Sequence, residues 1–375
     1  MIKILHTGDV HLDSPFSRLD PSKAEIRRNE LRAAFTSMMT CVRMDNIDIV
    51  LIAGDLFDSE FVTRETVAII IREFERCRAE IFIAAGNHDY ISPASVYAKE
   101  GIFPPNVHIF KGEELEKISL ENLPVDVYGY SFESEYMYEN PFRGKTVENS
   151  DRLSLLVAHG DMRNSDSKYC PVTREDIVSF GADYTALGHI HNAEDVKEEG
   201  GVFYGYSGCL EGRDFGETGA KGAILVEAEK DGGVSRVSTR KLTFSKRKYE
   251  CGELRVDGAE SVFEISEMID EYIASRGYGE ETLLSLTLKG EVPASLVINT
   301  DALCRDRGLF FFELSDGTSP ARDMESLEGD ITVRGQFYRE LLPLLNADNA
   351  ETRRVAEAAL RYGLSALDGE NIADF

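Results

Sequence analysis

Five short apolar runs in this chain each end in a cluster of aspartate, histidine, asparagine and glycine, and that feature narrows the fold more than any other. Residues 2–7 lead into Asp9 and His11 (D-V-H), and 48–53 (DIVLIA) lead into Gly54, Asp55 and Asp58. Residues 80–85 (EIFIAA) lead into Gly86, Asn87, His88 and Asp89. LLVA leads into His159, Gly160 and Asp161, and TAL leads into Gly188, His189 and His191. Continuous apolar runs such as DIVLIA suit strands buried on both faces, as in a parallel sheet covered by helices. In open α/β sheets, sites form beyond the carboxyl ends of the strands.

Helical periodicity over 23–43 and 63–78, the second opened by Thr63 as an N-cap, separates the first three runs. The resulting β-α-β-α-β order predicts parallel strands with helical crossovers. From about residue 126 strands become denser, with one short helix near 174–180. A basic run at 240–248 marks a seam. It reads as a solvated linker first and as a contact to DNA backbone second. Beyond it the pattern predicts strands at 249–256, 282–288 and 309–314, and helices at 259–276, 294–307, 335–345 and 350–367. The expected division is 1–245, then an α/β cap over 246–320, then a helical region over 321–375. A length of 375 residues accommodates that number of domains.

The clusters carry the chemistry. At i, i+2 on an extended chain, Asp9 and His11 point to one side, and His189 and His191 repeat that geometry. Each motif alone is weak, because an isolated D-x-H or GNHD is commonly a surface feature or a turn. Together, in order and all at strand ends, they form a ligand set. Imidazole, carboxylate and one amide oxygen, without thiolate, suit first-row divalent ions such as Mn²⁺, Fe²⁺ or Zn²⁺. Two such ions ~4 Å apart clamp an in-line displacement at phosphorus. Asp55, central in the motif order, is the candidate bridge. The flanking glycines allow sharp turns and close approach to a ligand.

Composition limits the partners. A net charge of −26 argues against nucleic-acid binding through a broad electrostatic footprint, so phosphate must be held locally. The six cysteines are scattered without a CxxC pair, which reads as reduced thiols in a cytoplasm rather than a disulfide framework or zinc ribbon. No run approaches the ~20 apolar residues of a membrane span, so no membrane partner is expected. The N-terminus lacks the pattern of a secretory signal and reads as an unexported mature start.

D-x-H, GD-x-x-D, GNHD, H and GH-x-H in this order resemble the calcineurin-like metallophosphoesterase superfamily. Within it, ILHTGDVHLDSPF and YSGCLEGRDFGETGAKG are similar to DNA repair exonucleases of the SbcD type and its YhaO branch. The motif match covers roughly 1–228, and beyond that only the layout corresponds. The resemblance implies an α/β fold: a metallophosphoesterase β-sandwich flanked by helices, with a small α/β cap and a helical C-terminal tail. It implies that Asp9, His11, Asp55 and His191 hold one metal and that Asp55, Asn87, His159 and His189 hold the other, Mn²⁺ ranking first. A hydroxide shared by the ions would be the nucleophile. His88 would face the phosphate, stabilising the transition state or protonating the leaving oxygen, with Asp58 or Asp89 orienting it and Asp58 preferred. Archaeal and eukaryotic relatives carry histidine in place of Asp58, whereas phosphatases and many bacterial members carry aspartate, so this position does not separate nuclease from phosphatase.

The remaining candidates have structural alternatives beside them. Arg213 could meet a phosphate or form an ion pair. His6 reads as a core histidine, His108 as a strand histidine, and Glu217 and Lys221 as loop anchors. The resemblance also implies DNA and an SMC-like, ABC-type ATPase of the SbcC kind as partners. For the ATPase, the face Phe337, Leu341, Leu342 and Leu345 is the candidate dock, unless it packs on its own domain. Homodimerisation is common in the family, and the 23–43 helix could contribute. The leading expectation is a two-metal DNA phosphodiesterase serving repair, an exonuclease, with endonuclease activity as a further option. A phosphatase, or a hydrolase of small phosphodiesters or cyclic nucleotides, using the same site is the alternative. A non-catalytic scaffold ranks last, because every expected ligand is present.

Overall fold

The structure is a computed structural model describing residues 1–148, 151–293, 295–305, 307–321 and 324–368. In chain order its elements are β1 (Ile2–Thr7), α1 (Pro21–Met44), β2 (Ile49–Ala53), α2 (Arg64–Glu75), β3 (Glu80–Ala84), β4 (Val107–Ile109), β5 (Glu116–Ser119) and β6 (Val125–Gly129). Then come β7 (Leu153–His159), α3 (Arg174–Phe180), β8 (Tyr184–Gly188), β9 (Lys197–Glu199), β10 (Val202–Tyr206), β11 (Gly222–Asp231) and β12 (Val234–Thr243). The chain ends with β13 (Lys248–Arg255), α4 (Val262–Ser275), β14 (Thr282–Val292), α5 (Thr300–Leu303), β15 (Phe311–Pro320), α6 (Met324–Gly329), α7 (Val333–Leu345) and α8 (Ala350–Asp368).

Two six-stranded sheets form the first compact unit, which comprises Met1–Gly252, Ile273–Leu286 and Asp306–Glu313. One runs β12-β11-β1-β2-β3-β4, with β1 to β4 parallel and β11 antiparallel to β1. The other runs β5-β6-β7-β8-β10-β9, with β6, β7, β8 and β10 parallel. Every residue of β2 is buried, and alternation divides them between two cores. Ile49, Leu51 and Ala53 meet Val127, Leu155, Val157 and Ala186 of the second sheet. Val50 and Ile52 meet Leu31, Phe35 and Met38 of α1 and Ile70 and Phe74 of α2. The second sheet covers its outer face with Ile177 and Phe180 of α3 and aromatic residues such as Tyr130 and Tyr204. The result is a β-sandwich with helices on both outer faces.

Caps place the helices. Asp20 accepts from the amides of Ser22 and Lys23 at the start of α1, with Pro21 just inside, and Thr63 accepts from Thr66 N at the start of α2. Of the helix expected over 294–307, the described residues form only the four-residue α5, capped by Asn299, while positions 294 and 306 lie outside the described residues. The segment opens on Pro293, which donates no amide hydrogen bond, and residues 297–299 are irregular before the Asn299 cap starts the turn. The strand expected at 309–314 starts at Phe311 and continues to Pro320.

The second compact unit comprises Glu253–Tyr272, Thr287–Arg305 and Leu314–Phe375, of which 322–323 and 369–375 lie outside the described residues. In it Leu327, Tyr338, Leu360 and Leu364 form a core between the C-terminal helices, and Phe337, Leu341, Leu342 and Leu345 pack against that core. That apolar face is thus already used within the helical region. No helix among the described residues is long and apolar enough to cross a membrane.

Candidate metal centre

The carboxyl ends of β1, β2 and β3 in one sheet and of β7 and β8 in the other carry nearly all the candidate ligands. Main-chain hydrogen bonds lace the first two loops together: Asp9 N donates to Gly54 O at 3.0 Å and His11 N to Asp55 O at 2.9 Å. These loops adopt an unusual backbone. Asp9 (φ 49°), His11 (φ 51°), Asp55 (φ 51°) and His189 (φ 105°) all lie at positive φ, which costs an L-residue roughly 1–2 kcal/mol. Gly54 (φ 87°) shows why glycine flanks Asp55: a Cβ there would sit 2.1 Å from His159 Nδ1.

Asp55 occupies the centre. Its Oδ2 lies 3.6 Å from His11 Nε2 and 3.6 Å from His159 Nε2, while its Oδ1 accepts from His88 N at 2.9 Å. On one side, His191 Nε2 lies 3.3 Å from His11 Nε2 and 3.7 Å from Asp9 Oδ1. On the other, Asn87 Oδ1 lies 3.0 Å from His159 Nε2 and 3.3 Å from His189 Nδ1. The structure therefore brings all seven candidate ligands together.

At His159 and His191 these contacts turn a ring lone pair toward other acceptors. His159 Nδ1 donates to Ala53 O at 2.9 Å, so in the neutral ring Nε2 is a lone pair facing the oxygens of Asn87 and Asp55. His191 Nδ1 donates to Glu217 Oε1, so its Nε2 is likewise aimed at His11 Nε2 and Asp9. His11 Nδ1 is buried without a hydrogen bond. Cations at these points would turn each repulsive contact into shared coordination, and the nitrogen and oxygen donors suit borderline divalent ions. The residues present fit a pair of such ions. Electrostatics agrees with that reading. Burial holds His11 well below the ordinary histidine range, with Arg213 and neighbouring histidines adding to it, and burial brings His189 down to about 4. Both rings are therefore in the neutral form that binds metal. Burial also pushes Asp9 up. Burial would lower His191, but its hydrogen bond to Glu217 and the charge of Asp9 outweigh that and raise it.

His88 is exposed, stands edge-on to His11 with ring centroids 4.8 Å apart, and places Nδ1 3.1 Å from the main-chain oxygen of Asp58. Asp58 thus meets His88 through its backbone rather than through its carboxylate. That carboxylate is occupied by Arg213 Nη1 at 2.8 Å and lies 3.2 Å from His11 Nδ1. Asp89 points away from His88 into the core, where it accepts from the amides of Gly86, Asp55 and Phe57 and from Tyr97 OH. Burial, with Asp55 nearby, raises it to about 6. Arg213 is held by Asp58 and by Glu217, the ion-pair alternative of the sequence reading. His6 is a core histidine, fixed between Tyr184 OH and Leu187 O, and burial takes it down to about 3. His108 binds Glu80 at 2.8 Å and stacks on Phe82.

Two features escape a reading of motifs. Glu217 anchors His191 and also accepts from Arg213 N at 2.7 Å. The loop carrying both is tied down by a buried network: Arg27 binds Glu211 at 2.7 Å and Glu30 at 2.9 Å, and Arg247 binds Glu30 at 2.7 Å. Arg247 thus belongs to a buried lock, and Lys246 Nζ joins it at 3.1 Å from Glu30, so this end of the basic run is no solvated linker.

Comparison with known proteins gives a consistent result. The family model described as calcineurin-like phosphoesterase matches residues 2–193. The chain is 28% identical to the "Uncharacterized metallophosphoesterase YhaO" of Bacillus subtilis, over 79% of this chain and 74% of that protein. It is 24% identical to the "DNA double-strand break repair protein Mre11" of Methanopyrus kandleri, over 62% of this chain and 55% of that protein. It is 23% identical to an SbcCD nuclease subunit of Staphylococcus epidermidis, over 61% of this chain and 66% of that protein.

Proposed function

The chain belongs to the calcineurin-like phosphoesterase family, and from that premise we propose that it is a two-metal phosphodiesterase acting on DNA, an exonuclease that serves repair. The observation that carries the reading is Asp55 Oδ2, equidistant at 3.6 Å from His11 Nε2 and His159 Nε2 at the middle of the acceptor cluster. Asp9, His11, Asp55 and His191 would hold one ion, and Asp55, Asn87, His159 and His189 the other. When bound, divalent ions, Mn²⁺ first among them, supply a water of lowered pKa and neutralise phosphate charge.

The protein's own groups do the rest. Glu217 holds the His191 ring and Ala53 O holds the His159 ring, so both nitrogens stay aimed without reorganisation. His88, with Nδ1 directed at Asp58 O, keeps Nε2 for a phosphate oxygen or the leaving group. Asp58 acts through that carbonyl and through Arg213, which it immobilises. The DNA substrate is supported by the names of the Mre11 and SbcCD relatives. The motif resemblance to SbcD-type nucleases extends the proposal to an SMC-like ATPase partner, and the scattered cysteines extend it to a cytoplasmic setting. The net charge of −26 favours the second reading, a phosphatase or small-phosphodiester hydrolase at the same site.

The deciding experiment is Mn²⁺-dependent digestion of end-labelled duplex and single-stranded DNA beside a small phosphodiester and a phosphomonoester. DNA degradation is expected to fall about 10²–10⁴-fold in His88→Ala, which should keep its metals. Turnover of small esters alone by the wild type would establish the second reading instead.

A further inference from the structure

Next to the metal centre a row of aromatic rings leads outward. Tyr169 lies with its ring centroid 5.1 Å from His189, Tyr136 lies 5.8 Å from Tyr169, and Tyr138 lies 6.4 Å from Tyr136. Tyr138 is the outermost ring and is 68% exposed. Lys168 Nζ stands over one face of Tyr136, 3.8 Å from its centroid and 5.6 Å from that of Tyr169, so a base stacking on Tyr136 has only the other face. The rings come from two loops at the carboxyl ends of β6 and β7, fastened to each other by a bridge between Met137 and Tyr169. In that bridge Met137 N donates to Lys168 O at 3.0 Å and Cys170 N donates to Met137 O. Alternation does the remaining work: Met137 is buried, which sends Tyr136 and Tyr138 to the other side.

The bridge fixes the backbone on which Tyr138 stands, and at 68% exposure that ring adds little to the core. Acidity supplies the argument for what it meets. A chain of net charge −26 cannot gain much affinity for a polyanion from its surface potential. Stacking on aromatic rings is indifferent to that charge and accepts any base. Glu133, Glu135 and Glu139, exposed and close to Tyr136 and Tyr138 in the chain, disfavour a phosphate backbone there, which leaves the rings to a base.

We propose that Tyr136, Tyr138 and Lys168 form a stacking site for an unpaired nucleobase next to the scissile phosphate. The proposal rests on the nuclease reading for the identity of the strand, and it adds a preference for frayed or single-stranded ends. Lys168 contributes one local cation, and Tyr169 joins the row to the ring of His189.

The test is anisotropy titration, in Mn²⁺, of a labelled phosphorothioate oligothymidylate of about ten nucleotides and its abasic counterpart. Wild type should bind the base-bearing strand about tenfold more tightly or better. Tyr136→Ala/Tyr138→Ala should lose that preference, and Tyr136→Phe/Tyr138→Phe should keep it. Added salt should weaken both strands alike and leave the ratio unchanged. Mn²⁺ affinity, unchanged in both variants, serves as the folding control. Equal binding of the two strands by the wild type would overturn the proposal, as would a preference that survives the alanine pair. A base preference in a protein that cleaves no DNA would instead sink the nuclease reading and leave the stacking site standing.

Discussion

Two buried clusters of charge lie within one compact unit and differ in kind. In the lock of Arg27, Glu30, Glu211 and Arg247, opposite charges meet at 2.7–2.9 Å. Burial would raise Glu30, but hydrogen bonds from Arg247, Arg27 and Lys246 outweigh it and bring it down to about 2. At the metal centre, His159 and His191, hydrogen-bonded through Nδ1, turn Nε2 toward oxygens at 3.0–3.7 Å. The first cluster is neutralised by the chain itself, and the second is a candidate receptor for cations from outside. Burial of charge therefore says little about function until the sign of each neighbour is known.

The largest expected effect separates the two directly. Arg27→Met leaves Glu211 and Glu30 short of a buried partner, and urea denaturation of the metal-free protein should show a loss of about 3–5 kcal/mol. A cost below about 1 kcal/mol would mean the lock is not closed. Next in size, Mn²⁺ at about 100 times its Kd should raise the stability of the wild type by about 2.7 kcal/mol. Asp55→Asn should abolish that gain while its metal-free stability stays within about 1 kcal/mol of wild type, because it removes a carboxylate from among acceptors. A large metal-free loss in Asp55→Asn would make the centre a second structural network.

Smaller effects sharpen the contrast. Glu217→Gln should weaken metal affinity about 10–100-fold in a calorimetric titration, since it loosens the His191 ring without removing a ligand. An unchanged affinity would remove Glu217 from the positioning of the centre. Acidification from pH 7 to 5 should leave the lock untouched. Glu30 has a folded pKa of about 2 against an ordinary 4.5, so its contribution is intact above 4.5 and lost only as pH falls through about 2. The metal-dependent gain should shrink over the same interval, because protons compete for His191, which Glu217 and Asp9 raise against the effect of burial. Thermal melts of wild type and Arg27→Met, with and without Mn²⁺, should show a constant gap between the metal-free proteins.

Much of the fold and of the centre is legible in the sequence, and for local reasons. DIVLIA and EIFIAA announce strands covered on both faces, and the residues that follow them have little choice but to gather at one end of the sheets. What stays hidden depends on distance or direction. Glu211 and Arg247 find Arg27 and Glu30 across 184 and 217 residues, and no periodicity encodes that meeting. Asp89 adjoins His88 in sequence yet turns inward to clamp three amides, and Asp58 serves His88 through a carbonyl that every residue possesses. The short α5 shows the opposite failure, in which helical spacing holds over a stretch whose described residues form only one capped turn.

The left-handed backbone at Asp9, His11, Asp55 and His189 has a consequence for how such a chain can change over generations. At each of these positions glycine would relax the main chain, so mutation toward a sturdier fold runs directly toward an empty centre. Any lineage that stops using the chemistry should therefore lose these side chains quickly, and a copy that retains all four under strain is one in which selection is still at work.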